Sequence, residues 1–156
     1  MNPTTPTPLI RTARPSDADT IADFNVRMAK ETESIDLNPA TVGRGVRAAL
    51  ADPQKAIYFV AEVNGRVVGQ LMITHEWSDW RDGDIWWVQS VYVHPDYRKV
   101  GAFKALYRHA EQAAKDAGAV GIRLYVDEHN EGAQAAYVRL GMHLSNYKVM
   151  EVMFAG

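Results

Sequence analysis

The chain has no cysteine among its 156 residues, which excludes disulfides, thiolate metal sites and a cysteine nucleophile and fits a reducing compartment. Long hydrophobic runs are missing too: no stretch approaches the roughly 20 apolar residues that span a bilayer. Met1 to Pro8 is rich in Thr and Pro and has neither the basic start nor the apolar run of a secretory signal. It reads as a disordered lead-in to one domain over residues 9–156, a length that buries a single good core. Charge of one sign is scarce as well. Seventeen Lys and Arg against nineteen Asp and Glu leave a formal net charge of −2, so nothing draws the chain globally to nucleic acid or an anionic membrane. No P-loop, no Gly-x-Ser-x-Gly elbow and no His/Asp/Glu set at metal spacing occurs, which removes support for phosphoryl transfer, serine hydrolysis and metal catalysis. Gly43-x-Gly45-x-x-Ala48 matches a loose dinucleotide fingerprint, but Pro39 to Val42 is no convincing strand before it. The expectation is a cytoplasmic protein with neither a nucleic-acid nor a membrane partner and no metal.

What is present is a regular alternation of strand and helix signals. Leu9 to Ala13 reads as a strand stopped by Arg14-Pro15, and Ser16 with Asp19 at capping-box spacing opens a helix that sets Ile21, Phe24 and Met28 on one face. Pro39 starts a second helix ending near Asp52-Pro53, and Ala56 to Val63 has the composition of a buried strand. Asn64-Gly65 predicts a two-residue hairpin turn leading into a strand that runs to about Trp77. Ile85 to Val93, nearly all apolar, belongs at the sheet centre. From Gly101 the period turns helical, with Phe103, Leu106, Tyr107, Ala110, Ala114 and Ala117 on one side, until Gly118. Gly121 to Val126 then reads as a strand, Ala133 to Leu140 as a helix ended by Gly141, and Leu144 to Phe154 as a last extended segment. The order describes a mixed α/β layer fold on one sheet.

Val91 to Leu106 carries the most chemistry. An apolar strand passes through a basic, glycine-containing turn straight into an amphipathic helix, an arrangement that aims backbone N–H groups and the positive helix end at one point, beside Arg98 and Lys99. Phosphate is the ligand such a turn suits. The turn has Val93, Pro95, Arg98 and Gly101 in the register Val-x-Pro-x-x-Arg-x-x-Gly, with the large Phe103 two residues on. Farther on, Asn130, Ala133, Tyr137 and Gly141 fill the pattern Asn-x-x-Ala-x-x-x-Tyr-x-x-x-Gly, with Met142 after it. With both motifs and the element order, the chain resembles the GNAT superfamily of acyl-CoA-dependent N-acetyltransferases from Leu9 to the C-terminus.

That resemblance implies a central, mostly antiparallel mixed sheet of six to seven strands flanked by about four helices. It implies acetyl-CoA as co-substrate, its pyrophosphate wrapped by Arg98, Lys99, Val100, Gly101, Ala102 and Phe103. Its pantetheine would lie along the strand at Val91, Tyr92 and Val93, with Asn130, Ala133 and Tyr137 near the thioester. The activity implied is acetyl transfer to a primary amine of a small-molecule or amino-acid-like acceptor, by direct attack in a ternary complex. The alternatives are a peptide or protein amine, or a non-catalytic acyl-CoA sensor. Tyr137 is expected to protonate the leaving sulfur, because the family places a tyrosine there; as a core aromatic it would pair with Leu140 instead. A backbone N–H near Val91 would face the oxyanion.

The amine must lose a proton, since alkyl amines are mostly protonated at neutral pH. Relatives often carry a glutamate on the central strand, where this chain has Gln89 and Ser90. Glu76 is the substitute, as a partly desolvated carboxylate with a raised pKa; its competing reading is an exposed glutamate at a hairpin end. Glu31, Glu33 and Asp36 follow the first helix, where relatives form the acceptor wall. With Glu76, Asp79, Asp82, Trp77, Trp80, Trp86 and Trp87 they suggest an acidic, aromatic-lined amine pocket. Exposed tryptophans and a terminal strand are compatible with a homodimer.

Overall fold

A computed structural model describes residues 6–154 of the chain. The expected disorder of Met1 to Thr5 lies outside the described residues, and Pro6 to Pro8 carry no regular structure. The chain divides into two compact units, Met1–Tyr125 and Val126–Gly156.

In the first unit, strand β1 (Leu9–Thr12) is followed by a short 3-10 turn, Pro15–Asp17, and helix α1 (Ala18–Glu33). The cap differs from the expected Ser16/Asp19 pair: the Asp17 carboxylate accepts from the Arg14 backbone N–H at 2.7 Å and is also held by Arg11 at 2.8 Å. A guanidinium reaching across from β1 makes Asp17 the better anchor, something local spacing does not reveal. Helix α2 (Pro39–Ala51) starts where Asn38 Oδ1 accepts from the N–H groups of Ala40 and Thr41, leaving Pro39, which has no N–H, in the first turn.

Strands β2 (Ile57–Val63) and β3 (Arg66–Ser78) meet at Asn64 and Gly65, with φ of 52° and 78°. Two successive left-handed residues are the turn that matches the right-handed twist of the strands, which is why an Asn-Gly pair specifies this hairpin. Strand β4 (Gly83–Val93) returns antiparallel to β3, and helix α3 (Ala102–Asp116) crosses to β5 (Gly121–Leu124), which pairs parallel with β4. The sheet order is β1-β2-β3-β4-β5. Its two faces are both covered. Phe59, Ala61, Leu71, Ile73, Val88 and Val93 pack under Leu106 and Ala110 of α3, whereas Tyr58 and Val60 pack under Ile21 of α1 and Val46 of α2.

The second unit holds helix α4 (Glu131–Arg139), whose N-cap is Asn130: its Oδ1 accepts from the Ala133 N–H at 3.0 Å. The described residues contain four α-helices, as expected, but five strands rather than six or seven. Leu144 to Phe154 is the difference. It pairs with no strand among the described residues, and Val149, Val152 and Phe154 are exposed. Apolar content raises strand propensity, but a strand exists only where a neighbour supplies N–H and C=O groups to pair with.

Candidate active site

Strand β4 is the frame of the site. Along its β3 side it is paired from end to end, except that Met72 faces Ser90 while Ile73 faces Val88. Gln89 is thus an extra residue, a bulge that takes it out of the ladder. The other edge is paired with β5 only over Ile85–Val88. From Gln89 to Val93 no strand pairs with that edge among the described residues, so a row of backbone donors and acceptors runs from the bulge toward the basic turn.

The bulge also sets which way side chains point. Gln89 Nε2 donates to Thr74 Oγ1 at 2.8 Å, so Gln89 shares the α1 side of the sheet with Thr74 and Trp87, its ladder partner. Beside it, fully buried Gln70 bonds Ser90 Oγ at 3.2 Å, filling the space under the bulge with a satisfied polar pair. On the same face Glu76 accepts from Arg123 Nη1 at 3.2 Å, and half-buried Trp87 lies 4.6 Å from the Tyr125 ring. Glu76 is therefore exposed and ion-paired near the end of β3, as its competing reading has it, rather than a partly desolvated carboxylate.

At the far end of β4, a 3-10 turn at Pro95–Tyr97 precedes Arg98, Lys99 and Val100, and Gly101 opens α3 with φ 81°, ψ 13°. Gly101 is the residue this conformation calls for. A Cβ at Gly101 would meet nothing within 4 Å, so the space beside the turn is open, and no side chain caps the helix start. Lys99 is exposed beside it, whereas Val100 and Phe103 pack against the α3 core. The large residue at position 103 therefore packs on the core side of the helix. Val91 is half-buried and Tyr92 and Val93 are buried, each side chain in a core.

Arg98 bends back over the sheet. Its Nε donates to the Val93 carbonyl at 2.9 Å, and its Nη2 meets Glu31 Oε2 at 2.7 Å. Its guanidinium lies 5.5 Å over the Tyr92 ring. The Tyr92 hydroxyl donates to Glu31 Oε1 at 2.9 Å, and Phe24 of α1 packs on Tyr92 at 5.2 Å. The Arg98 guanidinium holds the Glu31 carboxyl below the usual carboxylate range, and burial, reinforced by the Glu31 bond, pushes the Tyr92 phenol up. Thus Glu31 joins the basic turn. Glu33 is exposed at the last residue of α1, and Trp77 is exposed near the end of β3.

In the second unit, Asn130 and Ala133 form the α4 cap, and half-buried Tyr137 follows one turn after Ala133. The Gln89 bulge and the Glu31–Tyr92–Arg98 cluster are the parts that sequence reasoning missed. A bulge depends on how two strands are registered, and an ion pair between residues 31 and 98 has no local signature.

A family model described as Acetyltransferase (GNAT) family matches residues 22–142, more than half of the chain. The chain belongs to the GNAT acetyltransferases. This GNAT chain is similar to a solved structure of a possible acetyltransferase from Clostridium difficile 630, at 43% identity and a TM-score of 0.90, covering 96% of this chain and 99% of that one. It is 31% identical over 103 residues to an uncharacterized N-acetyltransferase of Mycobacterium tuberculosis (strain ATCC 25618 / H37Rv), covering 66% of this chain and 62% of the relative. An uncharacterized N-acetyltransferase of Methanocaldococcus jannaschii is 35% identical over 85 residues, covering 54% of this chain and 38% of that protein. The alignments to these two relatives thus span less than two thirds of their length. GNAT proteins generally use acetyl-CoA. The open space beside Gly101, the basic residues next to it and the β4 edge that no strand pairs among the described residues suit a pyrophosphate continued by an amide-bearing arm.

Proposed function

We propose that the protein is an N-acetyltransferase that moves the acetyl group of acetyl-CoA to the primary amine of a small-molecule or amino-acid-like acceptor. The observation that carries this reading is the unpaired β4 edge running from the Gln89 bulge into the turn at Gly101. Backbone groups of Val91 and the N–H of Val93, whose carbonyl is held by Arg98, pair with the two amides of the pantetheine arm, and the turn from Arg98 to Phe103 holds the pyrophosphate. Bound acetyl-CoA supplies an acetyl thioester, a carbonyl open to an amine with a thiolate as leaving group.

The protein's own groups then need to do three things. A backbone N–H at the bulge faces the carbonyl oxygen and stabilises the charge that grows on it. On the family resemblance, the Tyr137 hydroxyl gives its proton to the departing sulfur and regains one from the amine nitrogen, through solvent, as the amide forms. Glu76, on the same sheet face as Gln89, takes the ammonium proton of the acceptor directly or through water. Trp87 and Tyr125, in ring contact, line the approach for the acceptor, which Glu33 and Trp77 also contact. No covalent enzyme intermediate is required, in keeping with a chain that has no cysteine.

Thiol release from acetyl-CoA across a panel of amines, amino acids and short peptides tests this reading, and the protein adds no thiol background. Release dependent on a small amine or amino acid supports it. Release with peptides alone moves the acceptor to a protein amine. Silence across the panel while acetyl-CoA still raises the melting temperature leaves a sensor of acyl-CoA.

A further inference from the structure

The side chain best placed by charge to bind phosphate at the turn is already engaged. Arg98 spends its Nε on the Val93 carbonyl and one Nη on Glu31, and stacks on Tyr92. A guanidinium fixed in three directions is a strut: it ties the loop after β4 to the strand before it and to the last turn of α1. Glu31 is the far anchor. One carboxylate oxygen accepts from Arg98 and the other from the Tyr92 hydroxyl, and Tyr92 is itself wedged against Phe24. Three residues after Glu31, α1 stops at Ser34, with φ 55°, and the chain leaves toward α2.

We propose that Glu31 is a positioning residue for acetyl-CoA, acting through Arg98 to hold the turn from Arg98 to Gly101 open in its binding shape. The inference rests on reading that turn as the acetyl-CoA site. It reassigns Glu31 from the acceptor wall to the cofactor side. Because α1 and the turn share this strut, the segment after Glu31 is mechanically joined to the cofactor site. The pair is half-exposed, 49% for Arg98 and 39% for Glu31, so Glu31 can be altered without opening the core.

Glu31→Gln is nearly isosteric and keeps an acceptor for Tyr92. Two readouts test the proposal. In ligand-free protein, hydrogen exchange of the amides from Arg98 to Ala102 should quicken in Glu31→Gln, while those of β1 and β2 stay as in the wild type. By calorimetry, Glu31→Gln should weaken acetyl-CoA binding roughly three- to tenfold. In an Arg98→Ala background the same change should have an effect below about twofold, because its route has been removed. Unchanged exchange at the turn, or an equal loss of affinity in both backgrounds, overturns the inference. If wild-type protein fails to bind acetyl-CoA, both the site reading and this role fall. If it binds and Glu31→Gln binds equally, this role alone falls.

Discussion

Removing one oxygen atom from Tyr137 separates proton donation from everything else its ring does. If that hydroxyl protonates the leaving sulfur, Tyr137→Phe should lower kcat about 100-fold and leave the KM for acetyl-CoA within about twofold. An unchanged kcat in steady-state assays removes it from the mechanism. Asp17 makes a structural counterpart. Its carboxylate accepts two bonds from Arg11, at 2.8 and 3.0 Å, and one from the Arg14 N–H at 2.7 Å, with little of either side chain exposed. Asp17→Asn breaks the charge pairing but leaves Arg11 its bond to Glu62, so a loss of roughly 1–3 kcal/mol is expected in urea unfolding. Neither role of Arg11 is visible in sequence, because its partners lie on another strand and beyond a turn. Tyr137, by contrast, stands out through its spacing from Asn130.

The turn between β4 and α3 is the element on which the functional reading depends, and Gly101 is where it can be broken without touching the core. Gly101→Asp puts a negative charge into open space beside the turn at φ 81°, a conformation that aspartate tolerates better than most residues. Acetyl-CoA affinity should fall below detection by calorimetry, while the melting temperature changes by only a few degrees. Undiminished binding would remove the turn from the cofactor site. Local chemistry made this element legible: Pro95 and Gly101 can serve few conformations, and Asn64-Gly65 marked its hairpin for the same reason. The bulge at Gln89 was not legible, since it follows from how two strands are registered. Leu144 to Phe154 shows the opposite failure. Its composition suited a strand, but pairing is a property of two segments.

For the molecule as a whole, the folded state should be sensitive to acid. Arg11 holds the Asp17 carboxyl below its usual range, with burial opposing, and Arg98 does the same for Glu31. A carboxylate whose pKa is lowered by folding contributes stability that is fully present above its unfolded value, near 4, and is lost as pH falls through the folded value. Urea midpoints should therefore be flat above about pH 5 and decline below pH 4; in Asp17→Asn the decline should be shallower. Acetyl-CoA should add about 2.7 kcal/mol at a concentration one hundred times its Kd, seen as a rise in melting temperature.

The bare length of β4 makes the ligand a guardian of solubility as well. A strand edge with unspent donors and acceptors is a template for any other strand, including the same edge of a second molecule. If the two amides of an acetyl-CoA arm lie along this edge, they remove that template by using the hydrogen-bonding groups that Arg98 does not already hold. Protein stripped of acetyl-CoA should cloud sooner than loaded protein when each is held the same few degrees below its own melting temperature.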